Sequence, residues 1–346
     1  MAKRDKLHLE ILRIAAIFLV IFTHTDRRGF AYYLDLEPSV KRWLCMIPPI
    51  VCRICVPLFY MISGATLLQK DETPGQIWRR RIPRFAAVLV LASGMAYLYS
   101  GKRDVLEFLK GIYTEPVIIP YWYLYSYLSF LMVLPLLRRM IRGMNRREFH
   151  YLAGMSLLFT GVIPVAAYRL SGGSMWLTQE MNLYLLTNIL VVYPAMGYYL
   201  EQRENLSWRQ IGWLWGLSVL ALILTMYMTD YKIRLTGEVA EGKVTTFYGG
   251  FRLLPTFSLY ATVKKLTSQV RFPQWLRHWI FSLGGCSFGI YLVEQMIRLE
   301  TRPLRDAAAR YIPNMAATVL WVLLIMALGH VLTLAAKKLP VLRKLL

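Results

Sequence analysis

Residues 7–25 read LHLEILRIAAIFLVIFTHT, an apolar run that carries Arg13 near its start and His24 at its end. Its length approaches the roughly 20 residues a helix needs to cross a bilayer. A basic tip of Lys3, Arg4 and Lys6 precedes it, as in a secretory leader, but the run holds an arginine and lacks a small-residue cleavage site, so it reads as a first membrane span. Working outward, nine further runs of the same kind follow, at 44–68, 85–100, 121–137, 149–168, 181–200, 211–229, 245–263, 279–297 and 315–336.

The whole composition agrees with that reading. Of 346 residues, 56% are apolar and 18% charged, with a mean hydropathy of +0.41. A water-soluble chain of this length has too little interior for so much apolar surface. The net charge of +21 is not that of a nucleic-acid binder, because the bases stand in short clusters between apolar runs rather than on one polar domain. Four cysteines, all in or beside apolar runs, make neither a disulfide framework nor a paired zinc site, so no metal is expected.

Cytoplasmic loops retain Lys and Arg. With the N-terminus inside, the inner segments hold 23 of these residues and the outer loops 15, and Arg13, Arg53 and Arg252 remain within spans. The expectation is therefore an all-α polytopic membrane protein with ten transmembrane helices and both termini cytoplasmic. Residues 1–346 form one membrane-embedded domain with no soluble domain appended, since the gaps between spans reach only about 20 residues.

Ionisable groups are costly in a bilayer, so function is sought there first. Arg13 and His24 are eleven residues apart, which at 100° per residue returns them to within about 20° of one face and separates them by about 16 Å. They line one wall of a shared cavity, or else Arg13 snorkels inward and His24 sits at an interface. Arg53 in the second run is a site residue or half of an ion pair. Cys52 and Cys55 have metal-like spacing but no second pair, so packing is expected of them. Ser63-Gly64 permits close helix approach. Trp122 and Tyr123 belong to an interfacial aromatic belt or stack on a sugar ring. Glu294 and Arg298 are four apart and suit a helix-surface ion pair. Nothing promotes His8, His150, His278 or His330.

With these residues in view, the stretch from Glu10 to His24 resembles the opening signature of the acyltransferase-3 family of membrane proteins: an Arg, ten residues and a His in the first span. Further segments resemble family motifs in the family's order. They are Val56 to Gly64, an apolar Phe-bearing run ending in Ser-Gly; Arg80-Arg81-Ile82-Pro83-Arg84 before the third span; Tyr121-Trp122-Tyr123-Leu124-Tyr125 with the later Pro135-Leu136-Leu137; and Ser287-Phe288-Gly289-Ile290-Tyr291-Leu292. Each motif alone is weak, and their order on a ten-span chain is fairly specific. Glu294 stands where many relatives have His, which puts a second-histidine role in doubt.

The resemblance implies transfer of an acyl group, commonly acetyl, from a cytosolic acyl-coenzyme A to a hydroxyl of a cell-surface or exported glycan or lipid-linked sugar, as in polysaccharide O-acetylation at the cell envelope of a bacterial cytoplasmic membrane. The family's His and Arg carry over to His24 and Arg13. A sugar hydroxyl is barely ionised at neutral pH, so attack on a thioester needs a base, and His24 is the candidate. Arg13 holds a donor phosphate or carbonyl, or stabilises charge.

Coenzyme A is polyanionic, and Arg80, Arg81, Arg84, Arg138 and Arg142 on the two most basic inner loops are the candidate donor cations, although positive-inside topology alone yields such clusters. Arg53, Trp122, Tyr123 and Glu294 are the candidates on the acceptor side. The rival readings are a transporter of a small amino acid such as serine, whose zwitterion the same Arg and His suit, and a non-catalytic membrane scaffold. Relatives of the transporting kind carry a racemase domain after the membrane part, whereas this chain ends ten residues past its tenth span.

Overall fold

The computed structural model describes residues 6–25, 40–173, 183–237 and 247–346. The principal helices are α1 Leu7–Thr23, α2 Ile47–Leu67, α3 Pro74–Tyr99, α4 Val105–Thr114, α5 Ile119–Gly143, α6 Arg146–Leu170, α7 Ile189–Gln202, α8 Trp208–Thr236, α9 Leu253–Gln269, α10 Gln274–Gly285, α11 Ser287–Ala308, α12 Asn314–Ala336 and α13 Pro340–Leu345. There is no strand among the described residues. The chain is an all-α polytopic membrane protein. In a bilayer the backbone must satisfy its own polar groups, and the helix does so within one segment.

Every expected span falls on helix. The basic tip at Lys3 and Arg4 and the first residues of the sixth and eighth spans, Met181 and Thr245, lie outside the described residues. Among the described residues six helices are long and apolar enough to cross a membrane (α2, α3, α5, α6, α8 and α12), and α10 with α11 make a seventh if counted as one span. The run expected at 279–297 is thus not one rod: it breaks at Cys286, and α11 continues past Ile297 to Ala308. The local cause is Gly284-Gly285, two residues that weaken a helix interior. The remaining three expected spans lie on the shorter α1, α7 and α9, of 17, 14 and 17 residues. The shortest, α7, buries an unbroken stretch from Val191 to Leu200, as expected of a helix that is apolar on all sides.

Polar residues set the helix starts. Thr73 and Gln76 make a reciprocal capping box before α3, Asn145 and Glu148 make one before α6, and Ser207 and Gln210 make one before α8. Asp104 and Asn188 cap α4 and α7. The α8 helix ends at Gly237, whose φ of 63° is the left-handed conformation that glycine accepts without strain. On α8 the side chains of Leu217, Leu220, Ile223 and Tyr227 are exposed, and on α12 so are Leu320, Leu323, Leu328 and Val331. Such stripes are intolerable against water and ordinary against lipid.

The chain packs as two units. Unit 1 comprises Met1–Leu67 and Met144–Gly284, and unit 2 comprises Leu68–Gly143 and Gly285–Leu346. In unit 1, α2 and α7 meet backbone to backbone: a methyl at Gly64 would collide with the main chain of Pro194, and one at Gly197 with that of Met61. The close approach expected at Ser63-Gly64 is therefore present, with Gly197 as its partner. Toward the start of α2, Met46, Ile50 and Ile54 pack with Val165, Tyr168, Met228, Phe247 and Phe251, and Leu19 of α1 lies against this cluster. In unit 2, the motif segments at the start of α5 and in α11 interlock. The Tyr121 hydroxyl donates to the Leu292 carbonyl at 2.6 Å and the Tyr291 hydroxyl to the Pro120 carbonyl at 2.5 Å.

Candidate functional site

Unit 1 carries ionisable groups at both ends of α1. At the N-terminal end, Arg13 is bonded to Glu10 one turn earlier, and Gly284 of α10 leaves room for Glu10, since a Cβ there would strike it. Beside this pair, His8 Nε2 lies 2.9 Å from Glu201 Oε2, and the Tyr260 hydroxyl donates to the same oxygen at 3.2 Å. Tyr260 in turn feels the charge of Arg13. Lys264 donates to the carbonyls of Leu200 and Glu204. Glu204 also accepts from the Tyr199 hydroxyl at 2.6 Å and pairs with Arg146 at 3.1 Å. In this network each carboxylate has a named donor, as a low-dielectric interior favours, while the second oxygen of Glu10, Oε2, is buried without a hydrogen bond.

The C-terminal end of α1 is built differently. His24 is the C-cap, its N–H bonded to the carbonyls of Val20 and Ile21, and its side chain is half-buried. Next to it, Thr23 lies against the buried thiol of Cys55 on α2, and both Arg53 and Arg252 act electrostatically on that thiol. Arg53 rides on a 3₁₀ turn, Cys52–Ile54, that packs against α1 and α9. Arg252 is the N-cap of α9, held by its Nε donating to the Gly249 carbonyl at 2.9 Å, and it also acts on the buried Tyr193 of α7.

The structure thus places Arg13, His24 and Arg53 of the sequence candidates in unit 1, with Arg53 and Arg252 both in electrostatic reach of Cys55. Arg252, Glu10, His8 and Glu201 were not singled out from sequence. A visible signal existed for Glu10, three residues from Arg13, and for Arg252, a charge inside an apolar run. None existed for His8 with Glu201, which are 193 residues apart.

Unit 2 holds the remaining candidates. Arg81 grips Glu72 through Nε and Nη2, and Arg138 donates to the same carboxylate at 2.7 Å and to its backbone carbonyl at 3.0 Å. The guanidinium of Arg81 first, and then that of Arg138, draws the Glu72 carboxyl down to about 2. Arg142, one turn beyond Arg138 because α5 runs on to Gly143, holds the carbonyls of Leu68 and Lys70 and the Asp71 carboxylate. These three arginines clamp the segment between Leu68 and Thr73.

Arg80 and Arg84 are exposed, and Arg84 reaches the Leu345 carbonyl at 3.2 Å. Trp122 is 43% exposed and stands edge-on to Tyr123. Tyr123 meets Tyr291 edge-on at 5.9 Å. Glu294 is fully buried with its Oε2 3.8 Å from Arg298 Nε, so the two approach as their spacing suggests but inside the protein and not on the helix surface. Cys52 and Cys55 are both buried and are not joined in a disulfide.

The fold is that of a helical membrane protein with an Arg and a His on its first helix and the two motif segments of α5 and α11 interlocked. The chain belongs to the acyltransferase-3 family, described as an acyltransferase domain, whose model matches residues 7–336. No curated protein and no solved structure matches the chain. Family membership makes the protein an acyltransferase.

Proposed function

We propose that the protein transfers an acyl group, acetyl in the first instance, from a cytosolic acyl-coenzyme A to a hydroxyl of a cell-surface or exported glycan, or of a lipid-linked sugar, in a bacterial cytoplasmic membrane. His24 is the general base. Its imidazole takes the proton of the acceptor hydroxyl as the oxygen attacks the thioester carbonyl carbon. A new C–O bond forms, and the tetrahedral intermediate collapses with loss of the C–S bond. The imidazolium then returns the proton to the departing thiolate, so that charge and atoms balance.

The observation that carries this reading is the seat of His24. It closes α1 at intermediate exposure, directly after Thr23, whose side chain lies against the buried Cys55 thiol. Arg13, oriented by Glu10 at the other end of α1, supplies a fixed cation for a donor phosphate. For the donor, the exposed Arg80 and Arg84 remain the cations open to a phosphate. Arg81, Arg138 and Arg142 act by holding the Leu68 to Thr73 segment in place. Trp122 and Tyr123 offer an aromatic surface to a sugar ring, and Glu294 a buried acceptor for its hydroxyls.

The test is transfer of radiolabel from acetyl-coenzyme A to envelope glycan fractions by the purified, reconstituted protein. Wild type labels a glycan and His24→Ala does not. Uptake of serine that ignores the donor, with no labelled glycan, would select a transporter instead.

A further inference from the structure

Between the membrane-crossing helices α3 and α5 of unit 2 stands α4, of whose ten residues none is buried. Placed at 100° per residue, its side chains sort into three arcs. Val105, Leu106, Leu109 and Tyr113 share an arc of about 100°, and all four are exposed, Tyr113 to 88%. Beside that arc lie the half-buried Phe108 and Ile112, and Phe108 packs its ring 5.3 Å from that of Tyr97. Glu107, Lys110, Gly111 and Thr114 fill the remainder. The apolar face of α4 is thus wider than the part the protein covers.

A staple at each end fixes the depth of α4. The Tyr97 hydroxyl of α3 donates to the Asp104 carbonyl at 3.0 Å, and the Tyr125 hydroxyl of α5 donates to the Ile112 carbonyl at 2.7 Å. A Cβ on Gly94 of α3 would lie 3.7 Å from the tip of Phe108. Gly94 precedes the end of α3 at Tyr99 by about 7 Å along the axis, and Tyr125 follows the start of α5 at Ile119 by about 9 Å. Therefore α4 is held beside the ends of the two spans, level with their terminal turns, and not beyond them in water. Those turns of α3 carry exposed Leu91, Met95 and Leu98, the composition seen on the lipid-facing stripes of α8 and α12, so the open face of α4 adjoins a surface already given to lipid. At the border of that face the exposed Lys110 follows Leu106 by one turn, which suits a long-stemmed cation reaching phosphate level. On the polar side Lys102 pairs with Glu107 at 2.7 Å.

We infer that α4 is an interfacial helix whose partner is phospholipid. It lies in the leaflet at which α3 ends and α5 begins, with Val105, Leu106, Leu109 and Tyr113 among the glycerol groups and first acyl methylenes and with Glu107 and Thr114 toward water. A face of this composition is unfavourable in water, and a helix with one apolar and one polar side gains by sinking about 5–10 Å into the boundary between headgroups and acyl chains. The inference needs only the membrane location of unit 2 and is independent of the acyl-transfer reading.

The experiment places nitroxide labels on the full chain in vesicles of phosphatidylcholine and phosphatidylglycerol, one each at Leu106→Cys, Leu109→Cys, Tyr113→Cys, Glu107→Cys and Thr114→Cys, with Cys45→Ser as the labelling background. Power saturation then compares access of oxygen, which concentrates in lipid, with access of a water-soluble nickel chelate. The first three labels are expected to favour oxygen over nickel several-fold more than the last two. Labels at Leu106, Leu109 and Tyr113 that meet nickel as readily as the one at Glu107 overturn the inference. So does shielding of all three from both reagents with spin–spin broadening that vanishes on dilution with unlabelled protein, because a second copy of the chain then covers the face. A measurement on the unsubstituted chain stands beside this one: a carbene photolabel dissolved in the bilayer should insert at Leu106, Leu109 and Tyr113 in preference to Glu107 and Thr114. Absence of photolabel from the 105–114 segment overturns the inference as well.

Discussion

The two ends of α1 solve the same problem in opposite ways. Both place ionisable groups at depths where charge is costly. At the N-terminal end every carboxylate has its donor: Glu10 has Arg13, and Glu201 has His8 and Tyr260. At the C-terminal end His24 caps α1, and Arg53 on its 3₁₀ turn and Arg252 at the N-cap of α9 both act on the buried Cys55 thiol. A tightly bonded network specifies packing and changes little when a ligand arrives. The catalytic role proposed for His24 falls at the other end.

The largest expected effect separates the two histidines. His24→Ala should lower acyl transfer by about 10²- to 10⁴-fold, the usual contribution of a positioned general base, with the unfolding midpoint near that of wild type. His8→Ala should do the reverse. It leaves Glu201 with one donor fewer inside the protein, which costs about 1–3 kcal/mol of stability, while turnover per folded molecule stays within a few-fold. Steady-state label transfer normalised to folded protein, with denaturant titration alongside, reads both. If His8→Ala abolishes transfer in well-folded protein and His24→Ala does not, the roles of the two ends are exchanged.

Next in size is the contact that fixes the distance between the ends. Gly64 and Gly197 let the backbones of α2 and α7 touch, and a methyl inserted into such a contact displaces main chain, not a flexible side chain. Gly64→Ala and Gly197→Ala are each expected to cost about 1–3 kcal/mol, measured by the same titration. Gly212→Ala and Gly216→Ala on α8, where a Cβ meets nothing, should stabilise slightly, because alanine is the better helix former by about 1 kcal/mol. Equal effects at all four positions would mean that α2 and α7 do not meet at that spacing.

Much of this was legible in the sequence, and the residues show where legibility ends. The apolar runs fell on helix throughout, because lipid imposes one simple rule on a segment, and missed only short helices such as α4 and α13, while Ser63-Gly64 announced a close approach because only small residues allow one. The break at Cys286 was hidden inside an apolar run, although Gly284-Gly285 was its local sign. Arg13 was readable as a buried cation, but whether it snorkels or pairs depends on the room that Gly284, far along the chain, leaves for Glu10. Arg252 was visible as a charge and not as sharing the Cys55 thiol with Arg53, because that depends on the packing of α2 and α9. The loop arginines illustrate the same limit. Counting bases found Arg81, Arg138 and Arg142 but passed over Asp71 and Glu72, which occupy them.

That clamp provides the smallest test and extends the comparison to unit 2, since it is built in the paired manner of the N-terminal end. The Arg81 and Arg138 guanidiniums hold the Glu72 carboxyl at about 2, below its ordinary 4.5. A carboxyl whose folded value is depressed lends stability that is complete above its unfolded value and is lost as pH falls through the folded one. The contribution is therefore full at neutral pH, declines below about pH 5 as the unfolded chain begins to bind the proton, and is gone near pH 2. Because Glu72 is partly solvent-accessible, the effect is modest. Between pH 7 and pH 3 the unfolding midpoint of wild type should fall further than that of Glu72→Gln, and the two curves should converge at the acid end. If Glu72→Gln instead follows the wild-type curve at constant offset, the clamp contributes no pH-dependent stability, and Arg81 and Arg138 return to the pool of cations available to a polyanionic donor.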